Sequence, residues 1–151
     1  MRILALDVGT KRIGLAFADS AVRIAVPRQM VAVDGNEFAE IATQYAREQA
    51  ELLVVGRPRN NRGETTRQTA SVENFIIALK EFFVKHKQPE PPVIMQDESY
   101  TSVQAEDNLG NVSRRDRAAG KVDVEAATLI LQDFLERSDL SEIERNIKGA
   151  N

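Results

Sequence analysis

Three carboxylates occupy positions at which acidic residues could do chemistry together. Asp7 closes a first apolar run, Glu98 follows Asp97 directly after a later apolar run, and Asp123 opens the last long apolar pattern. Each acid also has a simpler interpretation. Asp7 could hydrogen-bond the turn at Gly9, the adjacent pair could solvate a strand end, and Asp123 could complement the dipole of its helix.

Asp123 is the acid that a purely structural role explains least. On a helical wheel it lies on one line with Ala127, Ile130 and Phe134, the face that the helix would turn toward the core. A carboxylate on such a face loses hydration, so it must be paired, protonated or bound to a cation. We therefore expect Asp123 to point toward the sheet, where it could meet the other two acids.

Three carboxylates in one place repel one another unless a cation neutralises them. The chain has no cysteine and one histidine, and a set of oxygen ligands favours Mg²⁺ or Mn²⁺. In hydrolytic sites such ions activate water for in-line attack on a phosphodiester and stabilise the leaving oxygen. The sequence thus predicts that Asp7, Glu98 and Asp123 are both metal ligands and catalytic residues.

Positive charge is concentrated in three segments, although the net charge of the chain is −3. Residues 11–12, 57–67 and 111–121 together carry a charge of +8. A merely solvated surface would mix the two signs, so we interpret these segments as a phosphate-binding rim; ordinary exposed loops are the alternative. The residues predicted to bind nucleic acid are Lys11, Arg12, Arg57, Arg59, Arg62, Arg114, Arg115, Arg117 and Lys121.

Apolar periodicity predicts an α/β domain built on a mixed five-stranded sheet. The first three strands form an antiparallel meander, and Pro27 marks the third as an edge or bulged strand. Two further buried strands alternate with helices, so we expect helices on both faces of the sheet. Ligands of such sheets usually lie beyond the carboxyl ends of the strands, where Asp7 and the Asp97–Glu98 pair stand.

The helix predictions complete this outline. Asn36 can cap a first helix, and Thr65 or Thr66 can start a long second one. The segment TSVQ at residues 101–104 has the spacing of a capping box and Gly110 suits the position after a helix end, so a short helix is predicted between Thr101 and Leu109. A last helix is expected at about residues 122–136. We expect the domain to span residues 1–137 and residues 138–151 to form a frayed helix or a tail.

Composition limits the class of protein. Apolar residues make up 42% of the chain and charged residues 28%, and 151 residues fit one globular domain. The absence of cysteine excludes disulfides and thiolate metal sites. No stretch approaches the roughly 20 apolar residues of a membrane span, and the N-terminal segment lacks a signal-peptide pattern, so we expect a cytoplasmic protein.

Four blocks of the sequence, by their order and spacing, resemble the YqgF or RuvX family. Members are described as candidate Holliday junction resolvases and candidate pre-16S ribosomal RNA nucleases. The resemblance implies a ribonuclease H-like fold and a divalent-metal nuclease, acting in processing of the 5′ end of pre-16S ribosomal RNA (ribosome biogenesis) or in Holliday junction resolution. The blocks are LALDVGTKRIGLAFAD, VVGRPRNNRGETTRQ, QDESYTS and KVDVEAATLILQDFL.

The resemblance places the family's three acids on Asp7, Glu98 and Asp123, which the residues alone also select. Two positions depart from the family. Ser99 stands where Arg is common, and Arg57 stands where an apolar or aromatic residue is usual. These departures leave the acids intact and bear on the choice of substrate. The family's opening turn and middle loop match Thr10, Lys11, Arg12, Gly56, Pro58, Asn60, Gly63 and Glu64.

Two other functions fit parts of the sequence. The turn DVGT also resembles the phosphate-binding turn of actin and sugar-kinase-type nucleotide-binding proteins, but those resemble two ribonuclease H-like domains and this chain has room for one. A noncatalytic nucleic-acid-binding or ribosome-assembly factor could keep the acids for metal binding or folding. Structured RNA and branched DNA both fit the sequence as the nucleic-acid partner. Cutting both strands of a junction would call for a homodimer.

Overall fold

A five-stranded sheet lies at the centre of the computed structural model, which describes residues 1–58, 67–97 and 121–149. Its strands are β1 (Arg2–Val8), β2 (Arg12–Asp19), β3 (Val26–Ala32), β4 (Leu52–Arg57) and β5 (Val93–Asp97). They lie side by side in the order β3-β2-β1-β4-β5. The first three strands pair antiparallel, whereas β1, β4 and β5 pair in parallel. The predicted mixed sheet is confirmed.

Helices cover both faces of this sheet, as predicted. In the described residues they are α1 (Glu37–Arg47), α2 (Arg67–Lys85), α3 (Lys121–Arg137) and α4 (Leu140–Gly149). The first two pack on one side of the sheet, which we call the α2 face, and the last two pack on the other, the α3 face. None of the helices in these ranges is long and apolar enough to cross a membrane.

Strand β1 is buried on both faces because strands flank it and helices cover it on either side. Ile3 and Ala5 contribute to the core of the α3 face, Leu4 and Leu6 contribute to the core of the α2 face, and all four are fully buried. This double burial explains the unbroken apolar run in the sequence. Successive side chains of a strand alternate between faces, so Asp7 follows Ile3 and Ala5 onto the α3 face.

Helix α3 turns the predicted apolar row toward the sheet. Ala127, Ile130 and Phe134 are each at most 1% exposed, and they pack against residues of β1, β2 and β4. The helix begins one residue before and ends one residue after the predicted limits. The core-facing orientation predicted for this row is therefore confirmed from residue 126 onward.

Strand β3 lies at the edge of the sheet, as Pro27 predicts. It pairs only with β2, and its register shifts between Gly14 and Ala16 of that strand. Asn36 occupies the N-cap position of α1, but its side chain makes no capping hydrogen bond. Instead, Asp34 Oδ1 accepts a hydrogen bond from the Asn36 N–H at 3.0 Å. The predicted side-chain cap at Asn36 is wrong, because its ψ of 9° departs from the extended backbone in which an N-cap side chain reaches the N–H groups of the first turn.

Two helix ends bear on the predicted boundaries. Helix α2 is described from Arg67, and the predicted start at Thr65 or Thr66 lies outside the described residues, as does the short helix predicted between Thr101 and Leu109. Helix α2 ends before the segment QPEPP, as expected. Helix α4 packs Leu140 into the α3-face core, and the domain limit at residue 137 stays a prediction.

The turn between β1 and β2 holds Asp7 at the end of its strand. The N–H of Gly9 donates to the carbonyl oxygen of Arg12 at 2.9 Å, and the N–H of Val33 donates to the carbonyl of Lys11 at 3.0 Å. A Cβ added to Gly9 would lie 2.6 Å from the Arg12 oxygen, well inside van der Waals contact. Glycine is needed here because two backbone segments approach closely.

We expect Gly9→Ala to lower the free energy of unfolding by about 1–3 kcal/mol, the usual effect of forcing a methyl group into a filled space. Urea unfolding followed by circular dichroism measures the change. Gly149→Ala is the matched control, because a Cβ at Gly149 meets nothing within 4 Å, and its effect should stay within about 0.5 kcal/mol. Equal stability of Gly9→Ala and the unsubstituted protein would contradict the steric role of Gly9.

Candidate active site

Asp7 lies at the edge of the sheet where the parallel strands end. The pairs Leu6–Val55 and Gly56–Gln96 fix the register of β1, β4 and β5. One step beyond Leu6, Asp7 is therefore level with Gly56 and Gln96 in a row across the three strands. Since Gly56 has no side chain, nothing on β4 stands between Asp7 and Gln96 on the α3 face.

Asp97 lies on the other face of the sheet from Asp7. Val93 and Met95 pack against the α2-face core, whereas Ile94 packs against the α3-face core. By strand alternation, Gln96 shares the α3 face with Ile94, and the exposed Asp97 shares the α2 face with Met95. Of the acids in the described part of the chain at this edge, Asp7 alone therefore faces α3.

A hydrogen bond missed by the sequence reasoning connects the row of Asp7 to helix α3. Gln96 Nε2 donates to Asp133 Oδ2 at 2.5 Å, and Asp133 also pairs with Arg137 at 2.7 Å. The charge-assisted contact ties the edge strand β5 to α3. A polar residue two positions before Glu98 on the same strand face was the available signal, but its partner on α3 is not readable from periodicity.

The described structure places the other two predicted acids only in part. Asp123 is in the first turn of α3, ahead of the buried row that begins at Ala126, and its side chain is outside the described residues. Glu98 follows the last residue of β5 and lies outside them too. The convergence of Asp7, Glu98 and Asp123 therefore stays a prediction.

A metal site can be assessed from the ligands this edge offers. Within residues 1–58, 67–97 and 121–149, no group of three or more His, Asp or Glu residues could hold an ion. Asp7 supplies one carboxylate, half-buried on a rigid strand. A set of carboxylates completed by Glu98 and Asp123 would be hard oxygen ligands throughout, which fits Mg²⁺ or Mn²⁺.

Two of the predicted basic residues flank Asp7. Lys11 is exposed and Arg12 is half-buried, and both belong to the turn and strand start beside β1. Arg57 ends β4 on the α2 face, because it alternates with Gly56, and it is thus not on the face of Asp7. The remaining predicted contacts lie outside the described residues, or have side chains outside them: Arg59, Arg62, Arg114, Arg115, Arg117 and Lys121.

A cavity of about 990 Å³ lies away from this edge, where β4 and β5 begin. Tyr45, Phe83 and Ile147 are among its lining residues. Burial, followed by the charge of Glu51, raises the pKa of Tyr45 to about 12, so this hydroxyl stays protonated at neutral pH. The cavity shares no residue with the Asp7 edge.

Solved structures with the same fold include two Holliday junction resolvases. The Fowlpox virus resolvase matches with a TM-score of 0.52 and 15% identity, over 91% of this chain and 100% of that chain. Thermus thermophilus RuvC, solved with a Holliday junction substrate, matches with a TM-score of 0.52 and 13% identity, over 91% of this chain and 98% of that chain. At these identities the likeness shows the fold, and it confirms the predicted ribonuclease H-like architecture.

Sequence relatives cover nearly the whole chain. A protein of Nitratidesulfovibrio vulgaris named "Putative pre-16S rRNA nuclease" is 36% identical over 138 residues, 89% of this chain and 93% of the relative. A protein of Chloroflexus aggregans with the same name is 38% identical over 137 residues, 89% of this chain and 92% of the relative. The RuvX family, described as Holliday junction resolvase, matches residues 1–137. The four-block resemblance is thereby confirmed, and the chain belongs to the RuvX family.

Proposed function

We propose that the protein is a divalent-metal-dependent nuclease that hydrolyses phosphodiester bonds. The observation that carries the proposal is the placement of Asp7, half-buried on the α3 face where the parallel strands end. Membership of the RuvX family and the nuclease names of its relatives support it. Water is the nucleophile in this proposal, so no side chain has to form a covalent intermediate.

Asp7, Glu98 and Asp123 are the proposed ligands of Mg²⁺ or Mn²⁺. When bound, the cation would supply an activated water and neutralise the charge that develops on the phosphodiester. Asp7 would hold it from β1, and Asp123 would hold it from the first turn of α3. For Glu98, the alternation of β5 supports the role, since the residue after Asp97 is expected on the face of Gln96 and Asp7.

The chain's basic residues would bind the phosphates of the substrate on either side of the scissile bond. Lys11 and Arg12 adjoin Asp7 through the β1–β2 turn, whose backbone hydrogen bonds fix their positions. Ammonium and guanidinium groups beside an acidic centre attract the phosphates of the nucleic-acid backbone, whatever the base sequence. The two arginine-rich segments would extend this rim.

Structured RNA is the proposed substrate, at the 5′ end of pre-16S ribosomal RNA. The names of the sequence relatives support this choice, and ribosome biogenesis in the cytoplasm would be the setting. A four-way DNA junction is the second candidate, favoured by the family description. It would require a two-fold dimer, because a junction presents two related strands. Light scattering with and without a junction tests the dimer.

We expect Asp7→Asn and Glu98→Gln each to lower cleavage of a labelled structured RNA by about 100-fold or more, because each removes a metal-binding charge. Cleavage with Mg²⁺ or Mn²⁺ is followed on gels, and a chelator should abolish it. Four-way DNA junctions are assayed in parallel. If Asp7→Asn cleaves as well as the unsubstituted protein, the proposed site is wrong. If neither protein cleaves, the noncatalytic nucleic-acid-binding role replaces the nuclease.

Asp97→Asn is the matched control for these variants. Asp97 adjoins Glu98 in the chain but lies on the α2 face, so the same change of charge should leave cleavage within about threefold, the scatter expected away from the site. If Asp97→Asn loses as much cleavage activity as Glu98→Gln, the assignment of Glu98 and not Asp97 to the site would be contradicted.

Substrate binding should depend steeply on salt. Three or four phosphate contacts predict a loss of RNA affinity of about 20–150-fold between about 50 and 200 mM monovalent salt. Fluorescence anisotropy with a labelled RNA measures it. Lys11→Ala should reduce the logarithmic slope by about 1. The control Lys85→Ala, at the exposed end of α2 remote from Asp7, should leave the slope unchanged. Affinity that does not vary with salt would rule out the basic rim.

A further inference from the structure

Arg57 carries a buried donor that the described structure does not satisfy. Its Nε is buried and has no hydrogen-bond partner there. Its Nη2 contacts Met95 Sδ at 3.5 Å, and a thioether sulfur is only a weak acceptor. Asp97 is its register partner on β5, yet it does not accept from Nε. Among residues 1–58, 67–97 and 121–149, the Arg57 Nε therefore has no strong acceptor.

An unsatisfied guanidinium cannot relieve itself by losing its proton. Arginine stays charged at any physiological pH, so burial penalises its donor unless an anion or another acceptor is present. The planar fork of donors matches two oxygens of one phosphate or carboxylate group. Arg57, a half-buried residue whose Nε is fully buried, thus has the chemistry of an anion-binding residue.

The start of helix α2 provides a second feature that favours an anion near Arg57. Thr69 Oγ1 donates to the carbonyl of Pro58, so the first turn of α2 lies against the residue that follows Arg57. The first described turn, residues 67–70, contains no acidic residue, although Asp and Glu commonly balance the positive end of a helix dipole. The dipole and the guanidinium therefore both favour an anion on the α2 face, against the negative charge of Asp97, which lies on the same face.

We propose that Arg57 and the first turn of α2 form an oxyanion site that receives a phosphate group of the nucleic acid. The inference rests on the proposed nuclease function for the identity of the ligand. Since Arg57 lies on the α2 face and Asp7 on the α3 face, the bound phosphate is a different one from the phosphate hydrolysed beside Asp7. The site positions the strand, and Arg57 is a positioning residue.

The first test measures the unfolding temperature with inorganic phosphate, against chloride at equal ionic strength. The unsubstituted protein should gain about 2 °C or more at about 50 mM phosphate, the shift for a site half filled near 10 mM. Arg57→Leu should lose this shift. Without phosphate it should be at least as stable as the unsubstituted protein, because the unpaired buried donor is gone. Arg57→Lys, which keeps the charge without the fork, should retain only part of the shift.

Arg137→Leu controls for the change in net charge, because Arg137 is exposed on α3 and pairs with Asp133. It should keep the phosphate shift, and so should Asp7→Asn, which separates this inference from the nuclease proposal. An equal phosphate shift in Arg57→Leu and the unsubstituted protein would overturn the site, as would the absence of any shift in the unsubstituted protein.

The second test identifies the source of the phosphate group. Affinities of 5′-phosphorylated and 5′-hydroxyl forms of one RNA oligonucleotide are compared by anisotropy. Arg57→Leu should weaken binding by about 10-fold, near the lower end of the range for a hydrogen bond to a charged group. Weakening confined to the 5′-phosphorylated RNA supports a terminal phosphate, and equal weakening of both supports an internal phosphodiester. Unchanged affinity for both forms would contradict the inference.

Discussion

Burial of β1 on both of its faces is the constraint on which the candidate site depends. Leu4 and Leu6 pack under α1 and α2, while Ile3 and Ala5 pack under α3. A slip of one residue in this strand would move every one of these side chains to the opposite core. The register is therefore strongly specified, and with it the face to which Asp7 belongs. Packing of the apolar centre of the sheet therefore fixes the position of the polar residue at its edge.

The same constraint explains how much of the fold could be predicted from the sequence. Doubly buried strands and the row Ala127, Ile130 and Phe134 on α3 produce strong apolar patterns, because they reflect burial of many side chains at once. Pro27 was equally informative, since a missing N–H restricts it to an edge strand. These patterns sufficed for the sheet, the helices on its two faces and the position of Asp7 at a strand end.

Features that depend on single contacts could not be predicted in this way. The hydrogen bond between Gln96 and Asp133 joins residues distant in sequence, and no apolar periodicity predicts it. At Asn36 the residue type indicated a side-chain cap, but the backbone conformation there is not that of a capping residue. Arg57 was predicted to contact nucleic acid and was identified as a departure from the family, whereas its contact with Met95 of a neighbouring strand could not be predicted from the sequence. Convergence of the three acids belongs to the same class of long-range property.

The two cores of the protein differ in the size of their side chains, and this sets the thickness of each layer. The α3-face core contains Ala5, Ala16, Ala18, Ala25 and Ala127, whereas the α2-face core is built mainly from leucine, isoleucine, valine and phenylalanine. Helices approach their neighbours more closely where the intervening side chains are small. Aspartate has a short reach, so a thin layer favours contact between an acid on β1 and a group on α3. Enlarging one of these alanines would lift the helix and widen the site without altering any acid.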